Sequence, residues 1–348
     1  MVTLKTLSEI TGYSITTISR VLNNDKTLRA SEETKNIIKT IAKTSGYKTL
    51  QSKKTKQKSK ASLYHRCCLG IIEPSNIQEH IQDPYYLYLK GFVEQECFNK
   101  KVETIKIQYD IKTEKYNFFP NKKVDGIITI GHFSLKEIND MTKITKNIVF
   151  LDCAPHDGNY SSVIADLQLG LKRGIDYLNS CGHKNICFAG PKTAPNIFKE
   201  LEPEIKRIAF LEYTKEKNIS ESCFLLECER STESAYEKTK NFIDENIKNL
   251  PSVFLAVNES VAVGILNALK EKNIKVPEDI SILSYNNTVF STFINPPLSS
   301  ISIDSGFMAH TAVELAIKQA NTKSFYPIQI LTFPYITEKE SVKKINKL

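Results

Sequence analysis

The chain lacks the sequence features of membrane, secreted and metal-binding proteins. No apolar run reaches the roughly 18 residues that a membrane-spanning helix needs. The amino-terminal stretch MVTLKTLSEITGYS has no apolar segment after a basic start, so it does not resemble a secretory signal. The eight cysteines lie in apolar runs such as CCLGII, without a C-x-x-C pair or a nearby histidine at zinc spacing. We therefore expect a cytoplasmic protein with buried free thiols, no metal and no cofactor.

Sequence motifs of common enzyme classes are also missing. Neither G-x-G-x-x-G nor G-x-x-x-x-G-K-[ST] occurs, which argues against dinucleotide binding and phosphoryl transfer. Neither H-E-x-x-H nor G-x-S-x-G occurs, which argues against zinc proteases and serine hydrolases. With 348 residues, 41% of them apolar, the chain is long enough for a large globular body and a small appendage. We expect a binding protein that is not an enzyme.

Positive charge is concentrated in the first sixty residues. They carry eleven lysines and two arginines against three glutamates and one aspartate, while the whole chain has a net charge of only +8. The remaining residues are therefore close to neutral. A basic segment on a neutral body predicts that the segment alone binds a polyanion. A solvated basic tail is the alternative, which the pattern inside the segment argues against.

The basic segment has the pattern of three short helices. Thr3, Ser14 and Ser31 are typical amino-terminal caps, and Gly12 ends the first helix. The predicted inward faces are Leu4, Leu7 and Ile10, then Ile15, Ile18, Val21 and Leu22, then Ile37, Ile38, Ile41 and Ala42. Opposite the second of these faces, ITTISRVLNN carries only hydrogen-bonding groups. Two helices joined by a tight glycine turn predict a helix-turn-helix, whose second helix enters the DNA major groove. The alternative is an ordinary three-helix bundle with a solvated face.

This segment resembles a known DNA-binding head. VTLKTLSEITGYSITTISRVLNN, followed by SEETKNIIKTIAKTSGY, is similar to the head of the lac repressor (LacI/GalR) family of bacterial transcription factors. The resemblance implies that Ile15, Thr16 and Arg20 contact bases. It places Thr3, Ser14, Thr17, Ser19 and Asn23 at phosphate-contacting or capping positions. Ser8 and Thr11 stand where the family usually has alanine, and the loop 24–30 is longer than in the lac repressor itself.

A lysine-rich linker follows at residues 50–66. LQSKKTKQKSKAS has five lysines, no acid and a single apolar residue larger than alanine. Family members usually have here a hinge helix whose leucine inserts into the DNA minor groove. Residues 51–60 contain no apolar residue, so we hypothesise that lysines grip the backbone phosphates instead, with Lys53 and Lys54 among them.

The remaining sequence, 67–348, alternates β-rich runs with amphipathic stretches of helix length. About eleven strands, from CCLGII to the run near PIQILTF, predict two parallel sheets flanked by helices, since such alternation is typical of βαβ units. Segments such as DPYYLYLKGFVEQEC and VDGIITIG resemble the family's two-lobed core, a fold shared with periplasmic sugar-binding proteins. We thus expect an all-α head at 1–49 joined to a two-lobed α/β core. We place lobe 1 at about 67–160 and 291–325, and lobe 2 at about 161–290 and 326–348, with crossings near 160, 290 and 325.

The resemblance also implies effector-binding residues between the lobes. Tyr85 and Tyr86 match the family's aromatic pair, and Arg207 in KRIAF is matched to the arginine of R-x-x-G-[FY]. Asn258 matches a polar residue that ends a strand, and Asp166 lies at another strand end. Asn286 and Asn287 stand where the family usually has two aspartates. For most of these residues, a structural polar role is an equal alternative.

The resemblance implies a homodimeric transcriptional repressor that binds double-stranded operator DNA. A small-molecule effector between the lobes would release it. A sugar is expected, and the segments most resemble regulators of β-galactosidase or galactose genes. The alternatives are control by a purine or a phosphoprotein corepressor, or a sugar-binding receptor without a DNA role.

Overall fold

The computed structural model describes residues 3–345 except 24, 26, 29, 46, 48–66, 74–82, 111, 120–121, 156–157, 196–199 and 323–324. The chain divides into two compact units, Met1–Arg66 and Cys67–Leu348. Within the described ranges, no helix is both long and apolar enough to cross a membrane. The predicted linker, including Lys53 and Lys54, lies outside the described residues.

The first unit contains the three predicted helices. They are α1 (Leu4–Thr11), α2 (Ile15–Leu22) and α3 (Glu32–Thr44). The three predicted caps are confirmed, because the side-chain oxygens of Thr3, Ser14 and Ser31 each accept the backbone N–H three residues further on. Gly12 ends α1 with φ 73°, in the left-handed region that glycine adopts without strain. The tight turn between α1 and α2 therefore follows directly from the sequence.

The core of this unit is narrower than the sequence predicted. Its buried side chains are Leu7, Ile18, Val21, Ile38 and Ala42. The predictions that Ile10, Ile15 and Ile37 point inward were wrong, since these side chains are 56%, 45% and 40% exposed. Each step of three residues rotates a side chain by about 60° around the helix axis, so a row spaced by three drifts off the buried stripe after two steps. Short helices in a small bundle bury only that stripe.

The second unit alternates strands and helices along the chain. Its first half contains β1 (Cys68–Ile72), α4 (Tyr85–Asn99), β2 (Glu103–Asp110), β3 (Lys115–Phe118), β4 (Gly126–Ile130), α5 (Leu135–Ile144), β5 (Ile148–Leu151), β6 (Ser161–Ala165), α6 (Leu167–Ser180), β7 (Ile186–Gly190), β8 (Thr193–Pro195) and β9 (Leu201–Pro203). Its second half contains α7 (Ile205–Glu216), a 3-10 turn (Ser220–Ser222), β10 (Phe224–Glu227), α8 (Thr232–Asn246), β11 (Val253–Ala256), α9 (Glu259–Glu271), β12 (Ser281–Asn286), α10 (Phe290–Phe293), β13 (Ser299–Ser302), α11 (Ser305–Ala320), β14 (Gln329–Thr332) and β15 (Tyr335–Thr337).

Apart from β8 and β9, which form a separate antiparallel pair, these strands form two large sheets, as the sequence predicted. In the described part of the chain, one sheet has the order β14-β6-β5-β4-β1-β2-β3 and the other β10-β7-β11-β12-β13-β15. All neighbours pair in parallel except β2 with β3 and β13 with β15. Central strands such as β4, β5 and β7 are fully buried, which explains their uninterrupted apolar sequences. The four strands that the sequence did not reveal, β3, β8, β9 and β15, are short and largely exposed, so no apolar run marks them.

The chain crosses between the two lobes at different points from those predicted. β6 pairs with β5 and β14 in the first sheet, and β13 pairs with β12 in the second. The crossings therefore follow residues 165, 302 and 332, where the sequence had suggested 160, 290 and 325. Lobe 1 accordingly contains β6 and α11, while β13 belongs to lobe 2. The predicted crossings were misplaced because an apolar run does not show which sheet it joins.

Two helical glycines compare a closely packed position in lobe 2 with an open position in lobe 1. A Cβ added to Gly264 in α9 would lie 2.4 Å from the carbonyl oxygen of Thr232, whereas one added to Gly91 in α4 would have nothing within 4 Å. Alanine favours a helix over glycine by about 1 kcal/mol at either position. We expect Gly91→Ala to raise the free energy of unfolding by about that amount and Gly264→Ala to lower it by about 1 to 3 kcal/mol. Urea unfolding of both variants would measure this, and an equally tolerated Gly264→Ala would contradict the close packing.

Candidate functional site

The exposed face of α2 carries most of the predicted DNA-contacting groups. Ile15, Thr16 and Asn23 are exposed, and Thr17, Ser19 and Arg20 are half-buried. Beneath them, Ile18 and Val21 anchor the helix in the core of the head. Because the anchored side leaves a row of hydroxyl, amide and guanidinium groups free of the core, this face can donate and accept hydrogen bonds to a polar partner.

Several of these groups are held by local hydrogen bonds. The hydroxyls of Ser14 and Thr17 lie 2.9 Å apart, and Asn23 donates to the Ser19 hydroxyl at 3.4 Å. The hydroxyl of Thr3, which caps α1, lies 3.0 Å from that of Thr6. A hydroxyl has two acceptor lone pairs and one proton, so these groups retain capacity for a phosphate.

A second group of polar side chains lies between the two lobes of the core. On the lobe 1 side, Tyr85 begins α4 and its hydroxyl donates to Asp152 Oδ1 at 2.9 Å, just beyond the end of β5. The Tyr86 ring meets that of Tyr85 edge-on, with 5.3 Å between the ring centroids. Asp83 precedes both rings. Carboxylates and an aromatic pair thus converge at the carboxyl end of the first sheet.

Lobe 2 contributes cationic groups and an amide to the same place. Lys206, at the start of α7, donates to the carbonyl oxygen of Val257 at 3.0 Å and lies 4.2 Å from the Tyr285 ring centroid. Arg230, beyond β10, forms an ion pair with the buried Glu204. Asn258 follows β11, and its Nδ2 donates to Asp83 Oδ2 across the lobes at 3.0 Å. We call this set the cleft cluster: Asp83, Tyr85, Tyr86, Asp152, Glu204, Lys206, Arg230, Asn258 and Tyr285.

Burial sets the protonation of the cleft cluster. Desolvation raises the pKa of Asp152 to about 6, although hydrogen bonds from Tyr85 and Tyr86 offset part of this effect. Desolvation likewise lowers the pKa of Lys206 to about 8. Desolvation acts to lower the pKa of Arg230, but Glu204, Tyr86 and Asp83 together raise it above its usual value. The cluster therefore holds charges of both signs in a partly desolvated cleft, where a hydrogen bond is stronger than in water, although 38% of the Arg230 side chain is exposed.

The structure brings some of the predicted effector-binding residues together and separates others. Tyr85, Tyr86 and Asn258 belong to the cleft cluster, and Asn286 ends β12 as a buried residue with φ 88°. Asp166 is half-buried and caps α6 by accepting the N–H of Leu169 at 2.9 Å. Their roles toward a ligand stay predictions.

Arg207 is not part of the cleft cluster. Its Nη1 lies 4.0 Å from Glu227 Oε2. If R-x-x-G-[FY] is aligned on Phe210, the arginine position falls on Lys206 and the glycine position on Ala209. The match of Arg207 to this motif was therefore shifted by one residue, and the structure agrees with the corrected register, because Lys206 points into the cluster.

Further members of the cluster were not predicted from the sequence. Asp83, Asp152, Glu204 and Arg230 were not singled out, although Asp152 and Arg230 follow predicted strands, as Asn258 does. Polar side chains beyond parallel strands meet at one edge of a sheet, so a search of all strand ends would have found these two. Asp83 and Glu204 have no such pattern.

Comparison with known proteins decides the family. A family model described as a periplasmic binding protein-like domain matches residues 175–342. The regulator GalR of Streptococcus thermophilus, named as helix-turn-helix type, is 30% identical over 322 residues, covering 92% of this chain and 93% of the relative. The regulator GanR of Bacillus subtilis, of the same type, is 32% identical over 328 residues, covering 93% and 94%. The chain is a member of the LacI/GalR family of transcriptional regulators.

Solved structures share the fold of this LacI/GalR chain. The lac repressor dimer bound to operator and an anti-inducer superposes with a TM-score of 0.62 at 19% identity, over 98% of this chain and 99% of the other. A LacI family regulator from Arthrobacter in complex with lactose superposes with a TM-score of 0.64 at 18% identity, over 80% and 100%. The predicted fold class, a helical head with a periplasmic-binding-protein-like core, is thus confirmed. The relatives of this LacI/GalR chain are named as regulators, not as enzymes.

Proposed function

We propose that this regulator represses genes for sugar utilisation, with galactosides as the first candidates, and that it leaves its operator when a sugar binds in the cleft cluster. It acts in the cytoplasm as a homodimer, with each α2 in the major groove of one half-site of a pseudo-palindromic operator. The relatives named GalR and LacR support the class of genes. The neighbour solved with lactose supports the class of effector.

The observation that carries the proposal is the composition of the cleft cluster. A sugar presents several hydroxyls, each a donor and an acceptor, on a partly apolar ring. The carboxylate of Asp152 can accept from such hydroxyls, Lys206 and Arg230 can donate to them, and the Tyr86 ring offers an apolar surface beside Tyr85. The charges of both signs suit a neutral polyhydroxylated ligand better than a strongly charged one.

Ligand binding in the cleft cluster is coupled to the arrangement of the lobes by one bond between them. Asn258 and Asp83 join the two lobes at the centre of the cleft cluster. A ligand that hydrogen-bonds either residue competes with this bond, so it has different affinities for different lobe arrangements. That difference in affinity is what shifts a conformational equilibrium, and with it the occupancy of DNA.

Operator selection followed by ligand release tests the proposed function. The full chain is used to select duplexes from a random pool, and its affinity is measured for the selected duplex and for a scrambled one. Galactose, lactose, other disaccharides and purine bases are then added in turn. We expect the selected duplex to bind about 10³-fold or more tightly than the scrambled one, and a galactoside to release it. Release by a purine alone, or tighter binding with it, would contradict the sugar proposal.

A substitution in α2 tests base recognition by the head separately from effector binding. Thr16→Ala should weaken binding to the selected duplex by about 1 to 3 kcal/mol and leave binding to the scrambled duplex nearly unchanged, because the substitution removes only an interaction with a base. Equal decreases on both duplexes would argue against base recognition by α2.

A further inference from the structure

Two residues that follow α2, Asp25 and Thr27, accept hydrogen bonds from the guanidinium of Arg20. Arg20 Nε donates to Asp25 Oδ2 at 2.8 Å, and its Nη2 donates to Thr27 Oγ1 at 2.8 Å. Arg20 lies in the last turn of α2 on the face proposed to meet DNA, and its side chain is still 41% exposed. Arg20 and Asp25 thus form an ion pair on the proposed recognition surface. The family resemblance had not singled out Asp25.

Hydrogen bonds also hold the Asp25 carboxylate in place, so the position of the Arg20 guanidinium is defined. Its Oδ1 accepts both the backbone N–H of Thr27 at 2.9 Å and the Thr27 hydroxyl at 2.7 Å. Its backbone N–H donates to the carbonyl oxygen of Arg20 at 3.0 Å. Arg20, Asp25 and Thr27 therefore close a ring of hydrogen bonds in which each side chain orients the next. The bonds from Thr27, and then that from Arg20, lower the pKa of Asp25 to about 2, so its carboxylate stays ionised at neutral pH.

The ring leaves the outer edge of the guanidinium available. Of the five N–H groups of a guanidinium, Asp25 takes one and Thr27 takes another, and three remain among the hydrogen bonds of the described residues. A guanine presents two acceptors, O6 and N7, in the major groove, and a forked pair of N–H groups satisfies both. Arginine otherwise has many rotamers, and holding the fork in place before binding reduces the entropy cost of binding.

We propose that Asp25, supported by Thr27, is a positioning residue that sets the sequence specificity of this regulator by aiming the Arg20 guanidinium at a guanine. The inference rests on the proposed operator binding by α2. The expected effect of removing Asp25 on operator affinity is opposite to the one that charge alone predicts. Asp25 is an acid next to a polyanion, so charge alone predicts that its removal strengthens binding to any DNA. Positioning predicts that its removal weakens binding to the operator.

The test compares Asp25→Ala, Asp25→Asn and Arg20→Ala in the full chain, on the duplex selected by the wild type and on a scrambled duplex. We expect Asp25→Ala to reduce the affinity for the selected duplex about five- to thirtyfold, with unchanged or higher affinity for the scrambled one. Asp25→Asn keeps one acceptor oxygen and should have a smaller effect. In the Arg20→Ala background, adding Asp25→Ala should cost no further operator affinity, because the residue acts through Arg20.

The outcomes distinguish a failure of the positioning role of Asp25 from a failure of the proposed operator binding. If Asp25→Ala binds the selected duplex more tightly, the ion pair masks Arg20 and the positioning role is overturned. The role is also overturned if the decrease persists in full without Arg20, since Asp25 then acts on the fold of the head. A thermal melt of each variant checks that the head still folds. If the wild-type chain selects no duplex from the pool, the proposed function fails, and the inference fails with it.

Discussion

Replacing Lys206 by methionine should leave the regulator on its operator when the effector is added. Lys206 is the buried cation of lobe 2 in the cleft cluster, and a hydrogen bond from a charged donor to a ligand hydroxyl accounts for about a ten- to hundredfold change in affinity. We expect the effector dissociation constant to rise by that factor, with operator affinity unchanged. Titration of a galactoside into the protein–operator complex measures the first quantity, and titration of protein into operator without it measures the second.

Arg207→Ala is the matched control for this variant. Arg207 neighbours Lys206 on α7, but its guanidinium lies near Glu227, which is not a member of the cleft cluster. Its removal should leave effector release almost intact. If Arg207→Ala abolishes release while Lys206→Met does not, the effector contacts the other side of α7 and the corrected register is wrong.

The pH dependence of stability checks that Lys206→Met removes a buried charge and not the fold. The pKa of Lys206 is lowered from 10.5 to about 8, so between these values the unfolded chain binds more protons than the folded one. The free energy of unfolding contributed by this residue therefore rises as the pH increases from about 8 to 10.5, and this gain disappears as the pH falls back to 8. Urea unfolding of wild type should show this rise relative to Lys206→Met, which should be as stable or more stable at pH 7. A constant difference across this range would show that Lys206 is not desolvated.

Neutralising the lysines of the linker should flatten the salt dependence of DNA binding. The variant replaces lysines 53, 54, 56, 58 and 60 by glutamine. Each phosphate that is no longer neutralised reduces the slope of log K against log salt by about 0.9, so the slope per chain falls by up to about 4.5 if all five lysines bind phosphate. Affinity at low salt should fall by orders of magnitude on operator and scrambled duplex alike. Filter binding over a range of salt concentrations gives both slopes.

An equal charge change in the core provides the control for the linker variant. Five exposed lysines of the second unit can be replaced by glutamine in the same way: Lys106, Lys112, Lys146, Lys184 and Lys192. They change the net charge by the same amount but should leave the slope almost unchanged, because only lysines that neutralise a phosphate contribute to it. Equal slopes for wild type and the linker variant would refute phosphate binding by the linker lysines.

The sequence predicted most of what depends on neighbouring residues. The caps Thr3, Ser14 and Ser31 and the glycine turn at Gly12 follow from local hydrogen bonding and backbone freedom, and the structure confirms them. Apolar strands that are buried on both faces, such as β4 and β7, have a composition that no other element shares. Long apolar runs and caps can thus be predicted without knowledge of the tertiary fold.

What the sequence did not predict depends on how separate elements are arranged in space. The exposure of Ile10 follows from the width of the bundle, and the lobe to which β13 belongs follows from its pairing with β12. In the cleft cluster, Asp83 comes close to Asn258 although 175 residues separate them. The pairing of Arg20 with Asp25 depends on the path of the loop after α2, which propensities do not describe.

The two polar side-chain atoms of Asn258 make two separate hydrogen bonds. Its Oδ1 accepts the N–H of Val261 at 2.9 Å and so caps α9, while its Nδ2 holds Asp83 of the other lobe. Separation of the lobes would cost this residue one hydrogen bond and would leave the cap of α9 in place. Such a bond contributes about 1 kcal/mol, so at this residue the opening step is a small, reversible change within a folded framework. Under the proposed effector binding, a ligand would need to supply only about this much free energy at Asn258 to break the bond between the lobes.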